Sequence, residues 1–255
     1  MSARAAERSP TIRRVGDTGA LVIIALFLWQ GLYELVGDVA LTPPIATFAH
    51  AGSLLRSGPF LRHLAATADA FAVSVAIGSF AGVAAGLALG FHRFSGEVAE
   101  PILTALYTLP KVTLYPLVLL VFGLGISAKI AFGIMHGIIP VILFTMGAVR
   151  NIEPVHLKTA RVLRLSPWQT VTTVLAPAVI PEIFTGLRVG FSLTLLGVII
   201  GEMFASQRGL GFLVINGINT HDVPTMMAVI LLIIIFAIAA SSLLLTADRS
   251  LHRRG

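Results

Sequence analysis

Lys111 and Glu202 are the residues whose type and position raise the first chemical question. Each is an ionisable group inside a long apolar run, where a charge is costly and usually marks a solute path, a relay or an ion pair. Lys111 follows Pro110, so a broken helix could aim its ammonium, beside Thr108, at a lumen. A cation there would suit a small anion. A structural ion pair or a contact to backbone is the other reading. Glu202 stands near the outer end of its run and is the second candidate for such a path.

Other chemistries are excluded by spacing. A P-loop needs Gly directly before its Lys. The three lysines follow Pro110, Ala128 and Leu157, so any nucleotide hydrolysis belongs to another chain. The seven histidines show no H-x-x-x-H spacing, and there is no Cys, so neither a zinc site nor a disulfide framework is expected. No G-x-S-x-G elbow occurs. The Gly123–Gly125 and Gly209–Gly211 pairs lack the third glycine of a dinucleotide fingerprint and read as turns. No cofactor is expected on this chain.

The elements that position these residues follow from composition. The 255 residues are 12% charged and 56% hydrophobic, with mean hydropathy +0.92. Soluble domains average about 25% charged. Half that charge cannot cover a water-facing surface, and disorder needs the opposite composition. What remains is an all-α polytopic membrane protein. The net charge is +6, but the arginines lie between apolar runs rather than on one stripe, so nucleic acid is not expected as a partner.

A span needs about 20 mostly apolar residues. Charge-free stretches lie between Asp69 and Arg93, between Lys129 and Arg150, and between Asp222 and Asp248. Three further spans carry an ionisable group: about Thr18–Val36, Pro101–Phe122 and Glu182–Phe204. The total is six. Pro101, Pro110 and Pro116 interrupt the third. The basic start reads as a retained first helix rather than a cleaved signal, because Trp29, Tyr33 and Glu34 occupy the place of a cleavage site. With the N-terminus inside, inner segments hold twelve basic residues and outer loops three. That bias puts both termini in the cytoplasm. The expected organisation is a basic N-tail (1–17), a first helix (18–37), an extracytoplasmic loop (38–66), a core of five spans (67–246) and a basic C-tail (247–255).

Gly78, Gly82, Gly86 and Gly90 recur every four residues, on one helix face. Removing side chains there lets a second backbone approach, since lipid offers no competing hydrophobic drive. A moving contact and static packing both fit the stripe.

The inner loop over 150–181 is the longest on its side, yet it is patterned. Leu157, Ala160, Val162, Leu163 and Leu165 alternate with Lys158, Arg161 and Arg164, as in a short amphipathic helix. Ser166-Pro167 reads as an N-cap followed by Pro at the first helical position. Pro177 and Pro181 are expected to end that second helix. Such a pair could lie against lipid or dock a soluble partner.

These segments resemble the permease subunits of ABC importers. That family carries E-A-A-x-x-x-G and a downstream I-x-L-P in its inner loop. Lys158-Thr159-Ala160-Arg161-Val162-Leu163-Arg164 and Val174-Leu175-Ala176-Pro177 occupy those places. The nitrate/sulfonate/taurine branch is closer. Its P-K-x-x-x-x-P…F-G-x-G is matched by Pro110-Lys111, Pro116 and Phe122-Gly123-Leu124-Gly125. Its P-x-x-x-P-x-x-x-x-G-L-R is matched by Pro177, Pro181 and Gly186-Leu187-Arg188, and its E-M…G-L-G by Glu202-Met203 and Gly209-Leu210-Gly211. Two departures stand out. The family's glutamate is Lys158 and its glycine is Arg164; both are compatible with helix on sequence grounds, and both add positive charge.

The resemblance implies a type I importer fold of six transmembrane helices in the bacterial inner membrane, with a coupling helix between the fourth and fifth. It implies a homodimeric permease, two ATP-binding subunits that carry ATP and Mg, an extracytoplasmic solute-binding protein, and surrounding lipid. The solute would be a small anion such as nitrate, a sulfonate or taurine. Coupling would fall to Lys158, Thr159, Ala160, Arg161, Leu163, Arg164, Leu165, Ser166, Pro167 and Pro177. The competing reading is a secondary transporter or channel working alone, which predicts paired intramembrane charges and an internal repeat.

Overall fold

A bilayer leaves no water to satisfy backbone N–H and C=O groups, so apolar runs must close their hydrogen bonds internally as helices. The computed structural model describes residues 10–252, which contain helices and no β-strand. Helix α1 (Pro10–Val36) ends at Gly37, whose φ of 75° reverses the chain. Helix α2 (Pro44–Leu54) begins with Pro in its first turn. Helix α3 (Gly58–Phe91) begins at Ser57, whose hydroxyl accepts from the Phe60 N–H at 3.3 Å. The stretch expected as a loop over 38–66 is therefore largely helical, because Ser57 and Pro59 start α3 well before the charge-free run.

Helix α4 (Arg93–Thr108) and helix α5 (Tyr115–Phe122) are joined through a 3-10 turn at Lys111–Leu114. Their axes bend by 90°. The expected third span is thus broken, and at one place only. Pro101 is carried inside α4, whereas Pro110 forces Leu109 into extended backbone (ψ 137°) and ends the helix.

Helix α6 (Ile126–Arg150) leads to a short α7 (Pro154–Val162) and to one turn of helix, α8 (Pro167–Gln169). A π-helical stretch, Thr170–Leu175, then runs without interruption into α9 (Ala176–Ala205). Pro177 and Pro181 do not terminate this helix as expected. Pro177 lies in the first turn of α9, where a missing N–H is tolerated, and the wider π turn before it absorbs the altered bonding. Helices α10 (Leu210–Asn219) and α11 (Val223–His252) complete the fold. The C-tail from 247 continues helical to His252; residues 253–255, and 1–9 of the N-tail, lie outside the described residues.

Among the described residues five helices are long and apolar enough to cross a membrane, and the bent α4–α5 pair makes six when counted as one. At the centre α3, α6 and α9 pack together. Gly82, Gly86 and Gly90 face Val141, Thr145 and Val149 of α6; a Cβ on Gly86 would lie 2.8 Å from the Ile142 carbonyl. Gly78 is looser, with its nearest atom, Ile134 Cα, at 3.9 Å from such a Cβ. A second small-residue seam joins α6 to α9, where a Cβ on Gly190 would stand 2.9 Å from the Gly137 carbonyl. Phe60, Leu210, Val214 and Val229 cluster to hold α10 and α11 against the start of α3. Large apolar side chains such as Phe27 on α1 and Leu243 on α11 point outward, as hydrocarbon solvent permits.

Candidate functional site

Helix α7 is built to end sharply. The Leu165 N–H donates to the Ala160 carbonyl at 3.0 Å, and the Arg164 N–H to the Arg161 carbonyl at 3.1 Å. This is a Schellman closure, and it requires the left-handed conformation at the residue between. Arg164 supplies it, with φ 49°. The sequence reading allowed Arg164 a helical place; it stands instead just past the helix end, where the resembled motif has Gly because no Cβ crowds the following carbonyl. Lys158 is helical and exposed.

Ala160 is the one buried side chain described on α7. Thr159 is exposed and donates its hydroxyl to the Val155 carbonyl at 2.9 Å. Arg161 and Arg164 are exposed, and Leu165 is half-buried. Val162, Leu163 and Trp168 are 81%, 62% and 75% exposed. The side chain of Leu157 lies outside the described residues. Ser166 and Gln169 form a reciprocal capping box ahead of Pro167, the start signal that the Ser-Pro pair gave. The connection is tied to the bundle at its upstream end, where Arg150 donates to Glu100 at 2.6 Å and so joins α6 to α4.

At the α4–α5 elbow, Lys111 is buried, and its Nζ donates to the Tyr107 carbonyl at 3.1 Å. It also stands 5.3 Å from the Tyr107 ring centre, over the π face. The ammonium thus satisfies a carbonyl left open by the end of α4, the backbone contact that was one of its two readings. Thr108 is exposed, its hydroxyl turned to the Ala105 carbonyl at 2.9 Å. Tyr115 pins the elbow to α9 by donating to the Gly201 carbonyl at 2.6 Å.

Glu202 is fully buried and closed in by partners. Thr67 Oγ1 lies 2.9 Å from both carboxylate oxygens, the Gly211 N–H donates at 3.0 Å, and Lys129 Nζ is 3.7 Å away. Lys129 also donates to the Arg208 carbonyl at 2.6 Å. The Leu210 N–H donates to Thr67 Oγ1, and the Gly209 N–H to His63 Nδ1. The cluster clamps the 206–211 turn onto α3 and α6. Gly209, at φ 126°, lies so close to the Glu202 carboxylate that no Cβ fits between them. Sequence reasoning missed Thr67, His63 and Lys129 as partners. The available signal was Lys129 as a second ionisable residue at the edge of an apolar run, and spacing alone could not pair it with a residue on α9. Among the described residues no group of three or more His, Asp or Glu is placed to hold a metal.

Residues 74–254 match the family model described as binding-protein-dependent transport system inner membrane component. The chain belongs to this family. This permease is 30% identical over 86% of its length to the nitrate import permease NrtB of Leptolyngbya laminosa, covering 85% of that protein. It is 26% identical to the taurine transport system permease TauC of Escherichia coli, over 97% of this chain and 91% of that one. It is also 26% identical to a putative aliphatic sulfonates transport permease, SsuC, of Bacillus subtilis, over 84% and 79%. The inward-facing MetNI methionine ABC transporter superposes with TM-score 0.60 at 16% identity, covering 76% of this permease and 99% of that chain. That likeness concerns the fold, which is the expected all-α importer permease architecture.

Proposed function

We infer that this permease forms, as a homodimer, the pathway of an ABC importer for a small anionic solute in the class of nitrate, sulfonates and taurine. A solute-binding protein delivers the solute on the outer side. Two separate ATPase subunits hydrolyse ATP with Mg, and this chain binds neither. Both termini lie in the cytoplasm, as the twelve-to-three distribution of basic residues favours. The likeness to the nitrate permease NrtB, the taurine permease TauC and the sulfonate permease SsuC supports the solute class.

The observation that carries the reading is α7 itself. Nine residues are too few to hold a helix in water without tertiary support, and this one buries a single described side chain in its own chain. Its Leu163, with Val162 and Trp168 nearby, is free to seat in a cleft of a partner. Movement of that cleft would pull on α6 and, through the unbroken helix from Pro167, on α9. The pathway runs beside the third and fifth spans, near Thr108 and the Lys111 elbow. Co-purification from nanodiscs tests the coupling role. Leu163→Asp would bury an unpaired carboxylate, costing a few kcal/mol. The variant should insert and dimerise while its ATPase no longer co-purifies and uptake stops. Normal assembly and uptake would overturn the assignment and favour a transporter working alone.

A further inference from the structure

The α7 surface carries a charge pattern that no ion pair among the described residues neutralises. Lys158, Arg161 and Arg164 are all exposed. The ion pairs among the described residues join Arg93 to Glu97, Lys129 to Glu202, and Arg150 to Glu97 and Glu100; none involves these three cations. Over 151–181 the sequence has one acidic residue, Glu153, ahead of the α7 N-terminus and at the opposite end from Arg164. Lys158 and Arg161 stand three residues apart, a spacing at which like charges repel along a helix. The left-handed backbone at 164 adds strain that a glycine would lack. The isolated permease therefore retains two features that weaken α7, and both place positive charge around the exposed Leu163.

Resting on the coupling role inferred above, we propose that α7 recognises an ATPase cleft lined by carboxylates, with Lys158, Arg161 and Arg164 as the residues that select it. The apolar centre (Val162, Leu163, Trp168) supplies contact that any cleft of suitable shape could accept. The three surrounding cations discriminate, because charge complementarity at an interface rim sets partner choice and association rate more than affinity. A cleft carrying basic residues at the same places would be rejected by like-charge contact. Arg164 is the left-handed residue of the Schellman turn, so its side chain leaves from a different direction than a helical residue would, and the carboxylate facing it lies off the end of the α7 axis.

Binding of the purified cognate ATPase subunit to the full permease in phosphatidylcholine nanodiscs tests this. The permeases compared are the native chain, Leu163→Asp, and the triple variant Lys158→Glu, Arg161→Glu, Arg164→Glu. The triple variant should bind roughly tenfold or more weakly at low ionic strength. The gap should shrink near 1 M salt, where screening acts within about 3 Å. Single charge reversals of cleft carboxylates on the ATPase should restore binding to the variant. A change below about twofold at low salt overturns the proposal, and so does a loss that salt leaves unaltered. If Leu163→Asp abolishes binding while the charge reversals do not, the coupling role stands and the acidic cleft falls. If neither variant alters binding, both fall. Adding phosphatidylglycerol to the nanodiscs covers the lipid alternative: if the three cations prove to be needed only when anionic lipid is present, they serve the membrane and the proposal is wrong.

Discussion

Replacing Arg164 by Gly should leave the end of α7 firmer than replacing it by Ala, although glycine adds chain freedom. The magnitude follows from the backbone. A non-glycine residue in the left-handed region costs roughly 1–2 kcal/mol, and Arg164 sits there at φ 49°. Against that gain stands glycine's extra freedom in the opened chain, about 0.4–1 kcal/mol, while the loss of a cation near the helix C-terminus, about 0.3–1 kcal/mol, is common to Gly and Ala. The net is about 0.8 kcal/mol in favour of Gly over Ala, which is roughly fourfold in a local opening equilibrium. Amide hydrogen exchange of the permease in nanodiscs reads this directly. The Leu163 and Leu165 amides, bonded to the Thr159 and Ala160 carbonyls, should be protected about fourfold more in Arg164→Gly than in Arg164→Ala. Arg164→Ala is the control, since it removes the charge and keeps the Cβ. It should exchange faster than the native chain, and the Gly–Ala difference isolates the backbone contribution. If Gly and Ala variants exchange alike, the left-handed strain is not real and the Schellman account of this turn is wrong.

Three further outcomes are expected. Glu202→Gln should leave Lys129 as a buried charge without its counter-ion, which costs about 3–5 kcal/mol; the melting temperature should fall, and Lys129→Met in the same chain should recover part of the loss. Gly86→Val should separate α3 from α6, because even a Cβ would sit 2.8 Å from the Ile142 carbonyl, whereas Gly78→Ala should leave thermal stability unchanged. A larger loss for Gly78→Ala than for Gly86→Val would contradict the seam. Lys111→Met should remove the bond to the Tyr107 carbonyl at a cost of about 1 kcal/mol; uptake that stays within about twofold would mark the residue as a brace, and uptake abolished in a fully folded variant would place it on the path.

The number and rough position of the spans could be read from the sequence because hydrocarbon imposes a length and a low charge on any crossing segment. The exclusion of a P-loop is equally sequential, since that loop is one contiguous string and this chain lacks its Gly-Lys step. The Ser166-Pro167 helix start is local chemistry too, decided within four residues by a side chain and an N–H. The glycine stripe gave its periodicity away, while the helix it meets was not in the pattern. Gly137 and Gly190, equally important to packing, escaped notice because the seam they form draws residues from two distant segments.

What the tertiary structure decided is wherever two separated segments meet or a local rule has competitors. Pro101, Pro110, Pro177 and Pro181 look alike in sequence. Pro110 alone ends a span, because a 3-10 turn and the Lys111 ammonium satisfy the groups it frees, while π-helical winding carries the chain into Pro177. The partners that close around Glu202 lie 135 residues back at Thr67 and across a helix interface at Lys129, so no pattern along the chain points to them. A one-dimensional pattern fixes how far each residue is along its helix. It does not fix which side chains close around a charge, and in a medium with no water to fall back on, that closure determines whether the charge conducts or holds the fold together.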